Sequence, residues 1–174
     1  MKLRLRNLVL AAVFAATIFI STAYLPRVPI LGGAGGYVHV GDTFIYFAAC
    51  VLPLPYAMAA AAIGGALADA LTGYIAWAPA TLVIKALMAL PFSSAGEKFI
   101  TLRAAAAIAA AGLICAAGYY VYEATFITSF TVALASVPFN LAQGFASAVL
   151  FMLLGFAFDK LKLKQRLEKL NIEI

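Results

Sequence analysis

Long apolar blocks, each closed by proline, glycine or a cluster of charges, dominate this chain and constrain its fold more than any other feature. A bilayer core about 30 Å thick takes roughly 20 apolar residues per helix, so 174 residues supply five or six spans joined by short loops. Apolar residues make up 66% of the chain and charged residues 11%, against roughly a quarter charged in a soluble domain. A water-facing surface cannot be assembled from that supply, and no length remains for a folded domain outside the membrane. The expected fold is all-α, a polytopic six-helix transmembrane bundle forming one domain over 1–174.

The first helix is expected over 7–25. Its basic start (Lys2, Arg4, Arg6) is shared with secretory signals. The apolar run then meets Pro26 without a small-x-small cleavage site in a polar setting, so it reads as a retained helix. A loop rich in glycine and proline follows over 26–41. The stretch 43–71 is too long for one span. Pro53 and Pro55 remove two backbone donors and disfavour helix before each, which divides it into helix two (42–52) and helix three (56–71). Helices four, five and six are expected over 79–92, 103–122 and 132–158, before a basic tail carrying Lys160, Lys162, Lys164, Arg166 and Lys169. Helices two and four are short for a full span and require tilt or burial within the bundle. With six spans, the basic residues of both termini and of the loop after helix four fall on one side, while the other holds only Arg27. The positive-inside rule then places both termini in the cytoplasm of a multi-pass cell-membrane protein.

A charge at the centre of a spanning helix costs about 2.5–3.5 kcal/mol on insertion scales, so the intramembrane polar residues are the candidates for function. Asp69 falls near the outer end of helix three, and Lys85 lies on helix four, about 10 Å from its outer start. The turn between the helices is short, so the two are expected to form a structural ion pair, or one of them to touch a substrate. On helix six, Asn140, Gln143 and Ser147 fall at i, i+3 and i+7 on one face. Their amides can hydrogen-bond a heterocycle or simply neighbouring helices. Tyr119 and Glu123 sit at the outer end of helix five, and Trp77 lies just before helix four; aromatics there also serve as interfacial belts. Tyr37, His39, Asp42 and Tyr46 follow a glycine pair. Cys50 and Cys115 sit in apolar runs without metal-ligand spacing and read as small fillers. No metal or cofactor is expected.

In this topology the polar residues gather in the outer half of the bundle. A channel or proton relay wants polar groups through the whole thickness. One outward-facing pocket under a glycine-rich lid, suited to a planar, neutral or weakly charged molecule, fits better. An intramembrane enzyme stays open as an alternative, although the chain has one histidine and no paired acids or Ser–His arrangement. A self-sufficient secondary carrier is another. On helix one, Ala11 with Ala15 and Ala12 with Ala16 form overlapping small-xxx-small pairs, which serve either internal packing or docking to another membrane subunit.

Taken in order, these elements resemble the substrate-binding S component of energy-coupling factor (ECF) transporters. The resemblance covers nearly the whole chain. It rests on the alanine-rich stretch from Leu10 to Thr17, on Gly36-Tyr-Val-His-Val-Gly-Asp42, and on Gly64-Gly-Ala-Leu-Ala-Asp69 followed by Gly73 and Thr81-Leu-Val-Ile-Lys85-Ala-Leu-Met88. It closes with Gly118-Tyr-Tyr-Val-Tyr-Glu123 and Pro138-Phe-Asn140-Leu-Ala-Gln143. It implies a non-catalytic subunit that binds a vitamin near the outer face. It also implies a transmembrane coupling subunit and two cytoplasmic ATPases as partners within the lipid bilayer, and no nucleic acid. The first-helix alanines would dock on the coupling subunit. The chain has no phosphate loop, since Gly96-Glu-Lys98 lacks the Gly-x-x-x-x-Gly-Lys-Ser/Thr frame. The Val-Gly-Asp and Pro-x-Asn-x-x-Gln elements look most like the branch taking pyridoxine, hydroxymethylpyrimidine or riboflavin.

Overall fold

A computed structural model describes residues 2–30 and 35–169. The chain is helical apart from one small ribbon. Helix α1 (Lys2–Ala23) leads into strands β1 (Val28–Pro29) and β2 (Tyr37–Val38), followed by α2 (Asp42–Val51), α3 (Leu54–Leu71), α4 (Ala78–Met88) and α5 (Leu102–Tyr122). A π-helical turn, Glu123–Ile127, extends α5; then come a short α6 (Phe130–Ala133), a 3-10 turn (Leu134–Ser136), α7 (Val137–Lys160) and α8 (Leu163–Lys169). The ribbon lies inside the loop expected over 26–41, pairing Val28 with Val38 and Pro29 with Tyr37. Part of that loop, 31–34, and the last residues of the basic tail lie outside the described residues.

The prolines set most boundaries. Leu52 is extended (ψ 150°) ahead of Pro53, and Pro55 occupies the first turn of α3, where a missing N–H costs nothing. Helix α4 ends at Met88, four residues short of the expected 92, because Pro91 cannot continue it. Helix six was expected to be continuous from 132. It stays one helical span over Phe130–Lys160, with a 3-10 turn at Leu134–Ser136 just ahead of Pro138, which takes the first turn of α7. Thr101 caps α5, its hydroxyl accepting from the Ala104 N–H at 3.0 Å.

Among the described residues, four helical segments are long and apolar enough to cross a membrane: Arg4–Ala23, Leu54–Leu71, Leu102–Ile127 and Phe130–Lys160. The expectation of six spans does not follow from length. Helices α2 and α4 have 10 and 11 residues, about 15–17 Å at 1.5 Å per residue, half of a bilayer core. Eight of the ten α2 residues are buried, so this helix lies within the bundle rather than at its lipid face. The outer surface carries Leu8, Val13, Ile63, Leu113, Phe145, Leu153 and many other exposed large apolar side chains, as a lipid-facing surface does.

Helices α1 and α3 meet most closely at Gly64, where a Cβ would lie 2.6 Å from the Ala15 carbonyl oxygen. Only a glycine admits that approach. The alanine pairs of α1 therefore divide: Ala11 is buried and Ala15 half-buried, while Ala12 and Ala16 face out. At the other end of α1, an Arg6 Nη1–H donates to the Leu167 carbonyl of α8 at 3.4 Å. The first and last helices thus meet at one end of the bundle. That end is aromatic inside: Phe47 packs on Phe151, Phe99 and Phe158, with ring centroids 4.6, 5.3 and 5.3 Å away.

Candidate functional site

At the opposite end, five parts of the chain converge on one cavity. The β1–β2 ribbon contributes Tyr37 and, just beyond it, His39; the α3 terminus contributes Asp69; the turn before α4 contributes Tyr74 and Trp77. Facing them are Tyr119 and Glu123 from α5 and its π turn, and Asn140 and Gln143 from α7. The α3–α4 turn owes its shape to Gly73, whose φ of 93° lies in the left-handed region. With the Tyr74 N–H donating back to the Asp69 carbonyl at 2.9 Å, it closes a Schellman end. The π turn is an uncommon geometry that recurs at functional sites, and it begins at Glu123.

Beneath the cavity is a buried charge pair. Lys85 Nζ donates to Asp42 Oδ1 at 2.6 Å, and both side chains are about 1% exposed. Gln143 joins this floor to the cavity: its Nε2 donates to Asp42 Oδ2 at 2.8 Å, and its Oε1 accepts from the His39 N–H at 3.3 Å. The expected Asp69–Lys85 ion pair does not form. Lys85 sits a full turn deeper along α4 than Thr81, so the Thr81 hydroxyl reaches Asp69 instead and Lys85 meets the start of α2. Cys115, expected to be a filler, lies 3.7 Å from Lys85 Nζ and belongs to the edge of this polar floor.

The wall above it has no cation among the described residues. Asp69 accepts from Tyr37 Oη at 2.9 Å and from Thr81, whose hydroxyl also lies 2.8 Å from Tyr119 Oη. Glu123 accepts from Trp77 Nε1 at 3.1 Å and from the Ser136 hydroxyl. Asn140 donates to the Ser136 carbonyl at 3.1 Å. Aromatic rings close the remaining side: Tyr37 to Tyr74 is 4.7 Å between centroids, and Tyr74 to Trp77 is 5.8 Å. Arg27 stacks on the Tyr37 ring at 4.9 Å and is itself exposed.

His39 is buried, and burial pushes its pKa down to about 4, with Asp42 opposing and Lys85 and Arg27 adding to the shift. Its Nδ1 accepts from the Gly41 N–H at 3.0 Å, which puts the proton of the neutral ring on Nε2. Burial, followed by the charge of Asp69, holds the Tyr37 phenol well above its usual range, so it serves Asp69 as a neutral donor.

Eight of the eleven residues expected at a binding site border this cavity. Asp42 and Lys85 lie below it and reach it through Gln143. Tyr46 does not join them: it is fully buried, stacked on Phe92 at 5.2 Å, with no partner for its hydroxyl. Thr81, Tyr74 and Ser136 were missed. Thr81 precedes Lys85 by four residues, one helical turn on the same face, and that spacing was the available signal. Nothing local marks Ser136. Among the described residues no group of His, Cys, Asp and Glu is arranged to hold a metal.

The cavity measures about 40 Å³, room for very few waters and not for a ring system. Its walls are the ribbon, the α3–α4 turn and the ends of α5 and α7, so a larger occupant requires some of these walls to move.

A search of curated proteins returned no match. The family described as ECF-type riboflavin transporter, S component, matches residues 2–160, nearly the whole chain. An all-helical, lipid-faced chain with a polar cavity at one end of its bundle agrees with that match, and the chain belongs to this family of ECF transporter S components.

Proposed function

We propose that this protein is the substrate-capture subunit of an ATP-driven vitamin importer. In this reading it holds a small planar vitamin of the pyridoxine, hydroxymethylpyrimidine or riboflavin kind in the cavity bordered by Tyr37, Trp77, Tyr119 and Gln143. One observation carries the reading. Polar and aromatic side chains from five separate parts of the chain, buried or half-buried, converge at one end of the bundle, while the other end is filled with aromatic rings. That is a dead-end cup, not a conduit. With six membrane passes the cup opens outward and both termini lie in the cytoplasm, where the Arg6–Leu167 contact brings α1 and α8 together.

A cup of this kind needs partners to empty it. The proposed docking face is the groove of about 480 Å³ between α1 and α3, which Ala12 and Ala16 line together with Ala59 and Ile63. A transmembrane coupling subunit would seat there, carrying two cytoplasmic ATPases. Ala12→Leu or Ala16→Leu is expected to leave ligand binding intact and abolish uptake, because a bulky side chain blocks close helix approach.

Mass spectrometry of the small molecule that co-purifies with detergent-solubilised protein tests the central reading. A bound planar vitamin supports it. Protein that carries no small molecule and captures no ATPase would overturn it.

A further inference from the structure

Resting on that proposed function, we infer that the cavity is built for an organic cation: a planar heteroaromatic with a positive charge and N–H donors, in preference to a neutral ring system. The first ground is charge. Asp69 and Glu123 border the cavity and are 7% and 3% exposed, and among the described residues every side chain that bonds them is neutral. Lys85, only 1% exposed, is engaged by Asp42. No Lys or Arg borders the cavity among the described residues, and 31–34, the undescribed part of the loop, reads Leu-Gly-Gly-Ala. Arg27 lies on the Tyr37 ring and is exposed. A buried carboxylate without a counter-charge is costly. At Asp42 the counter-charge is in direct contact; at Asp69 and Glu123 no cation makes contact among the described residues, and Asp69 feels Lys85 only at a distance.

The second ground is the inventory of donors and acceptors. The Tyr37 hydroxyl is directed to Asp69, the Trp77 N–H to Glu123 and the Gln143 amide nitrogen to Asp42. Because Asn140 Nδ2 serves the Ser136 carbonyl, Asn140 Oδ1 is left as an acceptor at the cavity wall. Each carboxylate oxygen holds one donor and retains capacity for another. The surplus is of acceptors, so a ligand that fits must bring donors. Thirdly, the remaining walls are the rings of Trp77, Tyr74, Tyr37 and Tyr119, whose faces attract cations and stack on planar rings.

Trp77 is the only tryptophan, so its fluorescence reports on this cavity directly. Purified protein is titrated with two probe pairs: pyridoxamine, an ammonium, against pyridoxine, which has a neutral hydroxyl on the same ring; and thiamine, a permanent cation, against neutral riboflavin. The cationic member of each pair is expected to bind at least about tenfold more tightly, as a charge-assisted hydrogen bond provides. The preference is expected to shrink toward unity in Asp69→Asn and Glu123→Gln. Equal or tighter binding of pyridoxine and riboflavin by the wild-type protein overturns the cation assignment while leaving vitamin capture intact. Quenching by none of the four probes also overturns the cation assignment, while vitamin capture then stands or falls on the co-purified small molecule. A cation preference that survives both substitutions removes these carboxylates as its source.

Discussion

Asp42 on the floor of the cavity and Asp69 on its wall are both buried carboxylates within one end of the bundle, yet they are held in opposite ways. Asp42 has its own ammonium at 2.6 Å and a side-chain amide at 2.8 Å. Among the described residues Asp69 is bonded by the hydroxyls of Tyr37 and Thr81, and Glu123 across the cavity is likewise bonded by neutral donors. The difference separates architecture from function. A closed ion pair satisfies itself and joins α2, α4 and α7 into one frame. A carboxyl ringed by neutral donors keeps a second lone pair on each oxygen free toward the cavity.

The largest test of that contrast is Lys85→Met. Removing one partner of a buried pair leaves the other charge uncompensated, which costs about 3–5 kcal/mol. The variant is expected to unfold at a markedly lower temperature in detergent, and adding Asp42→Asn is expected to restore most of the loss. A single variant as stable as the parent would erase the distinction between floor and wall.

His39 sits where the two meet, donating its N–H to Gln143 while bordering the cavity. Its pKa is depressed to about 4 by burial, so below its ordinary value the unfolded chain binds the proton that the folded chain refuses. Stability is therefore expected to fall as pH drops from about 6.5 toward about 4, by about 2 kcal/mol between pH 7 and 5. A His39→Gln variant should flatten that slope in denaturation curves taken across this range, and an unchanged slope would show that another group governs it.

Smaller effects probe the wall. Thr81→Val keeps the shape but withdraws the hydroxyl shared by Asp69 and Tyr119, for an expected loss of about 1–2 kcal/mol. Tyr37→Phe removes one donor from a half-buried ribbon and is expected to cost about 1 kcal/mol or less. Because it unties the ribbon from α3, it should also speed ligand association in stopped-flow fluorescence of Trp77. A slower association would mean that the Tyr37–Asp69 bond helps to receive the ligand instead of restraining the ribbon.

Much of this arrangement was legible in the chain. The helical divisions followed from prolines: Pro53 and Pro55 part α2 from α3 as expected, because a missing donor and a forced φ act locally whatever the surroundings. The gathering of Tyr37, Asp69, Trp77, Glu123 and Gln143 at one end followed from alternating helix direction alone. Helix length was less legible: Pro91 shortened α4, and a 3-10 turn precedes Pro138 inside a span that apolar content suggested was uniformly α-helical. Tyr46, grouped with Tyr37, His39 and Asp42 after the glycine pair, lies instead in the core against Phe92, because sequence proximity does not tell which neighbour lies opposite.

By itself, then, the sequence determined that the chain is a lipid-embedded helical bundle and which end of it is polar, since hydropathy, proline and glycine act over a few residues at a time. Pairing was decided only by the tertiary structure. Thr81 and Lys85 stand one turn apart on α4, and a shift of about 6 Å along that axis settles which meets Asp69 and which meets Asp42. The depth at which helices pack is fixed by contacts such as Gly64 against Ala15, and a contact between residues distant in the chain leaves no local mark.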